Sequence, residues 1–263
     1  MDKYGFLGLG NMAKAMIEGL VKGEKVTKEQ IYATSKHLDQ IDEKCQELGI
    51  HPAYSNKELA QIADIIFICV KPEQVIRVTR DIKDKLKNKI VINIAPGIKF
   101  SNFTLEIPRN AQGMCIVPNI PVAAGKGIFI IEDHHNMKEE NLNKIIEVLE
   151  SAGDVLFLPK KDKTTAVSIT GGGPAIVAMA IEAFADALVK HGLSRKEAYK
   201  ITAATFSGTS QMMIETGIHP AALKDEVTPP GGSTIQGIAV LEEYGFRNAI
   251  IHAIDEITKR NID

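Results

Sequence analysis

The sequence predicts an α/β protein: an N-terminal doubly wound, mostly parallel sheet followed by an all-α C-terminal domain. Three observations predict it. Short apolar runs alternate with segments of helical period as far as about residue 160. From Asp162 onward nothing reads as a strand. At the first turn, "GLGNMA" sets glycines between an apolar run and a helix. The expected domains are residues 1–160 and 161–263.

The elements follow in order. "KYGFLGLG" is a first strand, and "NMAKAMIEGLVKGE" a helix with Met12, Ala15, Met16, Leu20 and Val21 on one face. "QIYATS" is a second strand. "LDQIDEKCQELG" is a helix stopped by Gly49, and "NKELAQIA" a short helix. "DIIFICV" is apolar almost throughout, as a parallel strand buried on both faces should be. "PEQVIRVTRDIKDKLK" opens with Pro72 at a helix start. "KIVINIA", "AQGMCIVP", "KGIFIIE" and "DVLFLP" are further strands, with the helix "KEENLNKIIEVLES" between the last two.

The second half reads as helix. "KTTAVSITGGGPAIVAMAIEAFADALVKHG" is a long apolar stretch expected to be interrupted at Gly171 to Pro174. "SRKEAYKITAATFSGTSQMMIET" opens with Ser194 and Glu197, a capping box. "HPAALKDEV", "STIQGIAVLEEYG" and "RNAIIHAIDEITKR" complete it. Apolar and small residues between Ala178 and Leu188 cover most helix faces. A helix of that kind needs burial on most faces, either sandwiched inside its own domain or, the favoured reading, packed against a second copy.

Composition narrows the function classes. The 263 residues are 44% apolar and 24% charged, with a net charge of −2. These values suit an ordinary soluble domain pair and argue against nucleic acid or a membrane surface as partner. No apolar run reaches the roughly 18 residues needed to span a bilayer, and the early strand leaves no secretory leader. Cys45, Cys69 and Cys115 lack CxxC spacing, so neither a disulfide framework nor a zinc site is expected. No metal is expected, and the expected location is the cytoplasm. His134 and His135 read as surface residues, and His191 as part of a helix end.

The chemistry begins at "GLGNMA". Gly8 permits a tight turn, Gly10 leaves the backbone open to a pyrophosphate, and Ala13 lets helix pack on strand. Free N–H groups and the positive dipole end then face the phosphates. Leu7, Leu9, Asn11 and Met12 belong to the same turn. The second strand ends in "ATSKH" with no acid to take a ribose 2′-OH. Ser35 and Lys36 are donors suited to a 2′-phosphate, so NADP(H) is favoured over NAD(H). Later strand ends should meet the same cofactor: "CVKP", "IAPG" and "VPNIP" supply Val70, Lys71, Pro72, Ala95, Gly97 and Asn119. Asn56 completes the expected cofactor set.

The C-terminal segment "HPAALKDEVTPPGGSTIQGIAVLE" carries a more specific pattern. Leu223, Asp225, Val227, Pro230, Gly231, Gly232, Thr234 and Gly237 match L-x-D-x-V-x-S-P-G-G-x-T-x-x-G/A. That pattern resembles the signature of the Δ1-pyrroline-5-carboxylate reductase family. The resemblance runs along the whole chain through "GLGNMA", "VKP", "VPNIP" and "GGGPAIV". It implies reduction of pyrroline-5-carboxylate to L-proline with NAD(P)H. It also implies a Rossmann domain followed by a helical domain that makes an intertwined dimer, with larger rings of dimers known. Departures stand at Cys115 for a common Arg, Ile120 for Thr, Gly172 for Ser, Ile176 for Tyr and Pro229 for Ser.

A reductase of a cyclic C=N needs a carboxylate site and a partner for the ring nitrogen. In "PPGGST" the prolines are expected to end one helix, while Gly231 and Gly232 leave N–H groups uncovered. Ser233 begins the next helix, whose N-terminus favours an anion. By resemblance, Thr234 contacts the substrate nitrogen and carries the catalytic role. Also by resemblance, Thr170, Gly171 and Gly172 border the same pocket. Two other readings stand beside this one. The first is another NADPH-dependent reductase, of a related cyclic imine or a hydroxyacid. The second is a nucleotide-binding paralogue without activity.

Overall fold

The computed structural model describes residues 1–262. Asp263, the last residue of the expected helical domain, lies outside them. The N-terminal part is one eight-stranded sheet. In chain order the strands are β1 (Tyr4–Leu7), β2 (Ile31–Thr34), β3 (His51–Pro52), β4 (Ile65–Ile68), β5 (Ile90–Asn93), β6 (Gln112–Pro118), β7 (Gly127–Glu132) and β8 (Gly153–Leu158). Their spatial order is β3-β2-β1-β4-β5-β6-β7-β8. Every pairing is parallel except β6 with β7. The order reverses around β1, which creates a crevice beyond the carboxyl ends of β1, β2 and β4.

The interleaved helices are α1 (Asn11–Lys22), α2 (Ile41–Leu48), α3 (Asn56–Ile62), α4 (Pro72–Asp81), α5 (Phe100–Phe103) and α6 (Glu139–Glu150). Successive strand residues point to opposite faces, so two cores form. One joins Phe6, Ile31, Phe67, Ile92 and Phe129 to Met16, Ile41 and Ile145 of α1, α2 and α6. The other joins Leu7, Ile66, Ile68, Val91 and Cys115 to Leu59, Val75 and Phe100 of α3, α4 and α5. Phe6 and Phe67, side by side on β1 and β4, stack with ring centroids 4.9 Å apart. The two-residue β3 and the single turn α5 are too short to have shown a period in the sequence.

The remaining helices are α7 (Lys160–Lys190), α8 (Arg195–Thr216), α9 (Pro220–Glu226), α10 (Ser233–Glu243) and α11 (Phe246–Ile262). Two compact units result, Met1–Gly171 and Gly172–Arg260. Their division falls within α7, at its first glycines.

Two expectations are corrected here. First, α7 is continuous through Gly171, Gly172, Gly173 and Pro174. Pro174 deprives the Thr170 carbonyl of its i+4 donor, and that single loss leaves the turns on either side intact. Second, Lys161–Lys190 has a stretch of mean hydropathy 1.5 and is long and apolar enough to cross a membrane by length and composition. Small and weakly polar residues spread its hydropathy too evenly to stand out as one apolar run. Little of the helix is buried within a single chain.

At α8 half of the expected capping box forms: the Glu197 N–H donates to Ser194 Oγ (3.3 Å), while the Glu197 carboxylate accepts from the Ser194 hydroxyl (2.7 Å) rather than from the Ser194 N–H. His134 and His135 meet ring edges, with centroids 5.3 Å from Phe100 and 6.4 Å from Phe157.

Candidate active site

The first component is the crevice at the carboxyl edge of the parallel sheet. At the end of β1, Gly8 has φ +103°, and a Cβ there would stand 2.8 Å from the Cys69 carbonyl oxygen. No other residue fits that turn without displacing the strand end beside it. At Gly10, by contrast, a Cβ would meet nothing within 4 Å. The space in front of Gly10 is therefore open, as an approaching phosphate requires. Gly10 is the N-cap of α1, no side chain caps that helix, and its first turn carries no acid. The leading N–H groups of α1 face outward with the positive end of the dipole behind them. Ala13 is buried against the sheet, and Leu9 and Met12 pack on the same core.

A cleft of about 300 Å3 lies beside this turn, over β1, β2 and β4. It brings together Leu7, Gly8, Ser35, Lys36, Asn56 and Val70 of the expected cofactor residues. Ser35 Oγ accepts from the His37 N–H at 3.2 Å, which leaves the hydroxyl proton free to donate. Asn56 is the first residue of α3, held by Ser55 as N-cap. Tyr54, Gln74 and Arg77 also line the cleft and were not singled out in the sequence. Tyr54 donates its hydroxyl to Asp42 Oδ1 at 2.8 Å, a bond that raises the phenol's pKa. No carboxylate is among the lining residues. Leu9, Gly10 and Asn11 line a neighbouring recess with Lys14 and Glu47.

The other expected cofactor residues sit at strand ends. Lys71 is the N-cap of α4, with Pro72 first in the helix. Buried Asn93 fixes the turn after β5: its Oδ1 accepts from the Ala95 N–H (3.2 Å) and its Nδ2 donates to the Ala95 carbonyl (3.0 Å). Gly97 follows in open space. Asn119 is buried, and its Oδ1 accepts from the Ile128 N–H at 2.8 Å. Its side-chain oxygen thus helps join β6 to β7, while its NH2 group makes no hydrogen bond among the described residues.

A dinucleotide fits these residues. The cradle has room at Gly10, uncapped N–H groups for a pyrophosphate, an apolar wall of Leu38, Tyr54 and Val70 for a base, and donors without acids around Ser35 and Lys36.

The second component belongs to the helical half. Helix α9 ends at Glu226, before the prolines. Thr228 closes it by donating its hydroxyl to the Lys224 carbonyl (2.8 Å). The prolines instead build a reverse turn. Gly232 N–H donates to the Pro229 carbonyl (3.0 Å), Pro230 takes the second position, and Gly231 at φ +74° takes the third. This is the arrangement of a type II turn. One expectation is corrected by it: the Gly232 N–H is already used and is not bare. Pro229 is compatible with its place because the first residue of such a turn contributes only its carbonyl. Gly232 is the N-cap of α10 with no side-chain cap, so the next N–H groups, from Ser233 onward, are the ones left unpaired. Thr234 is exposed, and its hydroxyl makes no hydrogen bond within the described residues.

In α7, Thr170 is buried and its Oγ1 lacks a hydrogen-bond partner. Thr202 of α8 is in the same state, whereas Thr79, Thr205, Thr216 and Thr258 donate to the carbonyl four residues back. Gly171 opens onto empty space. At Gly172 a Cβ would lie 2.7 Å from Ile257 Cδ1, so Ile257 occupies the volume that a serine would need.

Comparison with known proteins identifies the scaffold. Residues 160–263 match the family profile described as pyrroline-5-carboxylate reductase dimerisation. Residues 3–97 match the profile described as coenzyme F420-dependent NADP oxidoreductase. Pyrroline-5-carboxylate reductase of Treponema pallidum is 35% identical over 95% of this chain and 96% of its own length. The Escherichia coli enzyme of that name is 35% identical over 98% and 97%. This chain belongs to the pyrroline-5-carboxylate reductase family. The crystal structure of Plasmodium falciparum pyrroline carboxylate reductase with NADP bound superposes with a TM-score of 0.87, at 28% identity over 99% of this chain and 97% of that one. Membership in the reductase family also accounts for α7. Its apolar, exposed surface falls in the region that matches the dimerisation profile.

Proposed function

We propose that this protein reduces the cyclic imine 1-pyrroline-5-carboxylate to L-proline with NADPH. The observation that carries the reading is the Pro229–Gly232 turn, which presents the uncapped start of α10 and the free Thr234 hydroxyl. It sits in a chain that matches, end to end, proteins named for this reaction.

NADPH, when bound, supplies the hydride. The chain's own residues do the rest. The N–H groups opening α1, with Gly8 and Gly10, hold the pyrophosphate, while Ser35 and Lys36 hold the 2′-phosphate and favour NADPH over NADH. Asn56, Val70, Lys71, Pro72, Ala95, Gly97 and Asn119 wall the remaining length of the cofactor. The N–H groups opening α10 take the substrate carboxylate. The Thr234 hydroxyl accepts from the protonated imine nitrogen, which fixes the ring's orientation and favours the electrophilic form. Thr170, Gly171 and Gly172 border the substrate, and the unpartnered Thr170 hydroxyl supports that placement. An iminium is already electrophilic, so no strong general acid is required.

The active species is a homodimer joined through the helical domain, within which rings of dimers can assemble. It works in the cytoplasm, and the apolar face of α7 is covered by protein rather than lipid. NADPH oxidation, followed by its near-ultraviolet absorbance, tests the reading. Turnover with pyrroline-5-carboxylate supports it. Turnover only with the six-membered analogue, or only of a hydroxyacid with NADP+, assigns a different substrate. NADPH binding without any turnover indicates a non-catalytic paralogue.

A further inference from the structure

The cleft beside Gly8 contains two cations from distant parts of the chain. Lys36 follows β2, and Arg77 lies midway along α4. Both are exposed, and neither forms an ion pair among the described residues. The contrast within α4 is informative. Arg80, one turn further on, is matched by Glu106, with its Nε and Nη2 at 3.0 and 2.8 Å from the two carboxylate oxygens. Arg77 has no such partner and faces a cleft lined without any carboxylate. One lysine and one serine hydroxyl would neutralise a phosphate dianion incompletely. A guanidinium lining the same cleft would supply the second charge and a planar pair of donors.

We propose that Arg77 is a second determinant of the cofactor's 2′-phosphate, acting with Lys36 and Ser35 in the same cleft and setting the preference for NADPH over NADH. The inference rests on the NADPH reading given above. It adds a residue that the strand-end pattern did not indicate, because Arg77 comes from the helix after β4.

The test uses the full-length protein and two adenosine probes, adenosine 2′,5′-bisphosphate and 5′-AMP, each titrated against wild type, Arg77→Ala, Arg77→Lys and Lys36→Ala. A lost charged hydrogen bond corresponds to roughly ten- to a hundredfold in affinity. Arg77→Ala should weaken the bisphosphate by about tenfold or more and leave 5′-AMP within about twofold. Arg77→Lys should recover part of the loss. If Arg77→Ala weakens both probes equally, its guanidinium contacts the base instead and the proposal fails. If wild type discriminates between the probes and Arg77→Ala discriminates equally well, the proposal fails while the NADPH reading stands. If wild type itself does not discriminate, the NADPH reading fails first. Unchanged melting temperatures of the variants ensure that the comparison is between folded proteins.

Discussion

Lys163 Nζ lies 3.1 Å from Glu132 Oε2, and the two side chains are only 10% and 4% exposed. The pair joins the first turn of α7 to the end of β7, where the sheet hands over to the helical half. It also neighbours buried Cys115. A buried charge left without its partner is costly, about 3–5 kcal/mol. Lys163→Met and Glu132→Gln should each lower stability by roughly that amount. The double variant Lys163→Met/Glu132→Leu should recover most of the loss. Denaturant midpoints at a fixed protomer concentration measure this, since association contributes to apparent stability. Additive losses in the double variant would show that the two charges do not act as a pair.

The free hydroxyl at the start of α10 makes a kinetic prediction. Thr234→Ala should lower kcat/KM for pyrroline-5-carboxylate by about one to two orders of magnitude, with NADPH affinity almost unchanged. Thr234→Ser should restore most of the rate, because it keeps the hydroxyl. Wild-type kinetics from the alanine variant would remove Thr234 from the mechanism.

Exposed apolar side chains in the helical half make a prediction about assembly. Met179, Ile214 and Ile251 are 65%, 68% and 59% exposed in the single chain. Aspartate at Met179 or Ile251 should shift sedimentation toward the monomer and reduce activity in parallel. The cleft proposed for the cofactor lies in the other unit, so NADPH binding should survive in the monomer. An oligomer unaffected by both substitutions would place the interface elsewhere.

Buried thiols predict how stability responds to alkaline pH. Burial pushes Cys45 and Cys115 up to about 11 from the usual 9.0. The unfolded chain releases these protons near the lower value and the native chain near the higher one. Their contribution is therefore complete below pH 9.0 and is lost as pH rises toward about 11. Melting temperature should fall across that window, and less steeply in Cys45→Ala/Cys115→Ala. Equal slopes in the two proteins would assign the fall to other groups.

Much of this was legible because the signals are local. Gly49 ends α2 in the left-handed conformation, Pro72 starts α4, and Ser194 with Glu197 caps α8, each through contacts within a few residues. The alternation of apolar runs and amphipathic helices likewise predicts the doubly wound sheet. Less legible was the stretch around Gly171–Pro174, where strong local breakers suggested an interruption. The helix passes through them because favourable turns on both sides outweigh one missing hydrogen bond. The same limit applied at "TPPGG". Its residues signal a turn, but not that α9 has already ended or that Gly232 N–H is used inside the turn.

The sequence by itself specified the order of elements, the tight strand-to-helix turn at Gly8–Ala13, the acid-free end of β2 at Ser35 and Lys36, and the helix start at Ser233. These follow from neighbours along the chain, where backbone geometry and capping act. The fold settled what depends on residues far apart in sequence: Arg77 facing the same cleft as Lys36, Lys163 paired with Glu132, and Ile257 filling the space over Gly172. No local pattern encodes such meetings, because they exist only once strand order and helix packing bring separate segments within contact distance.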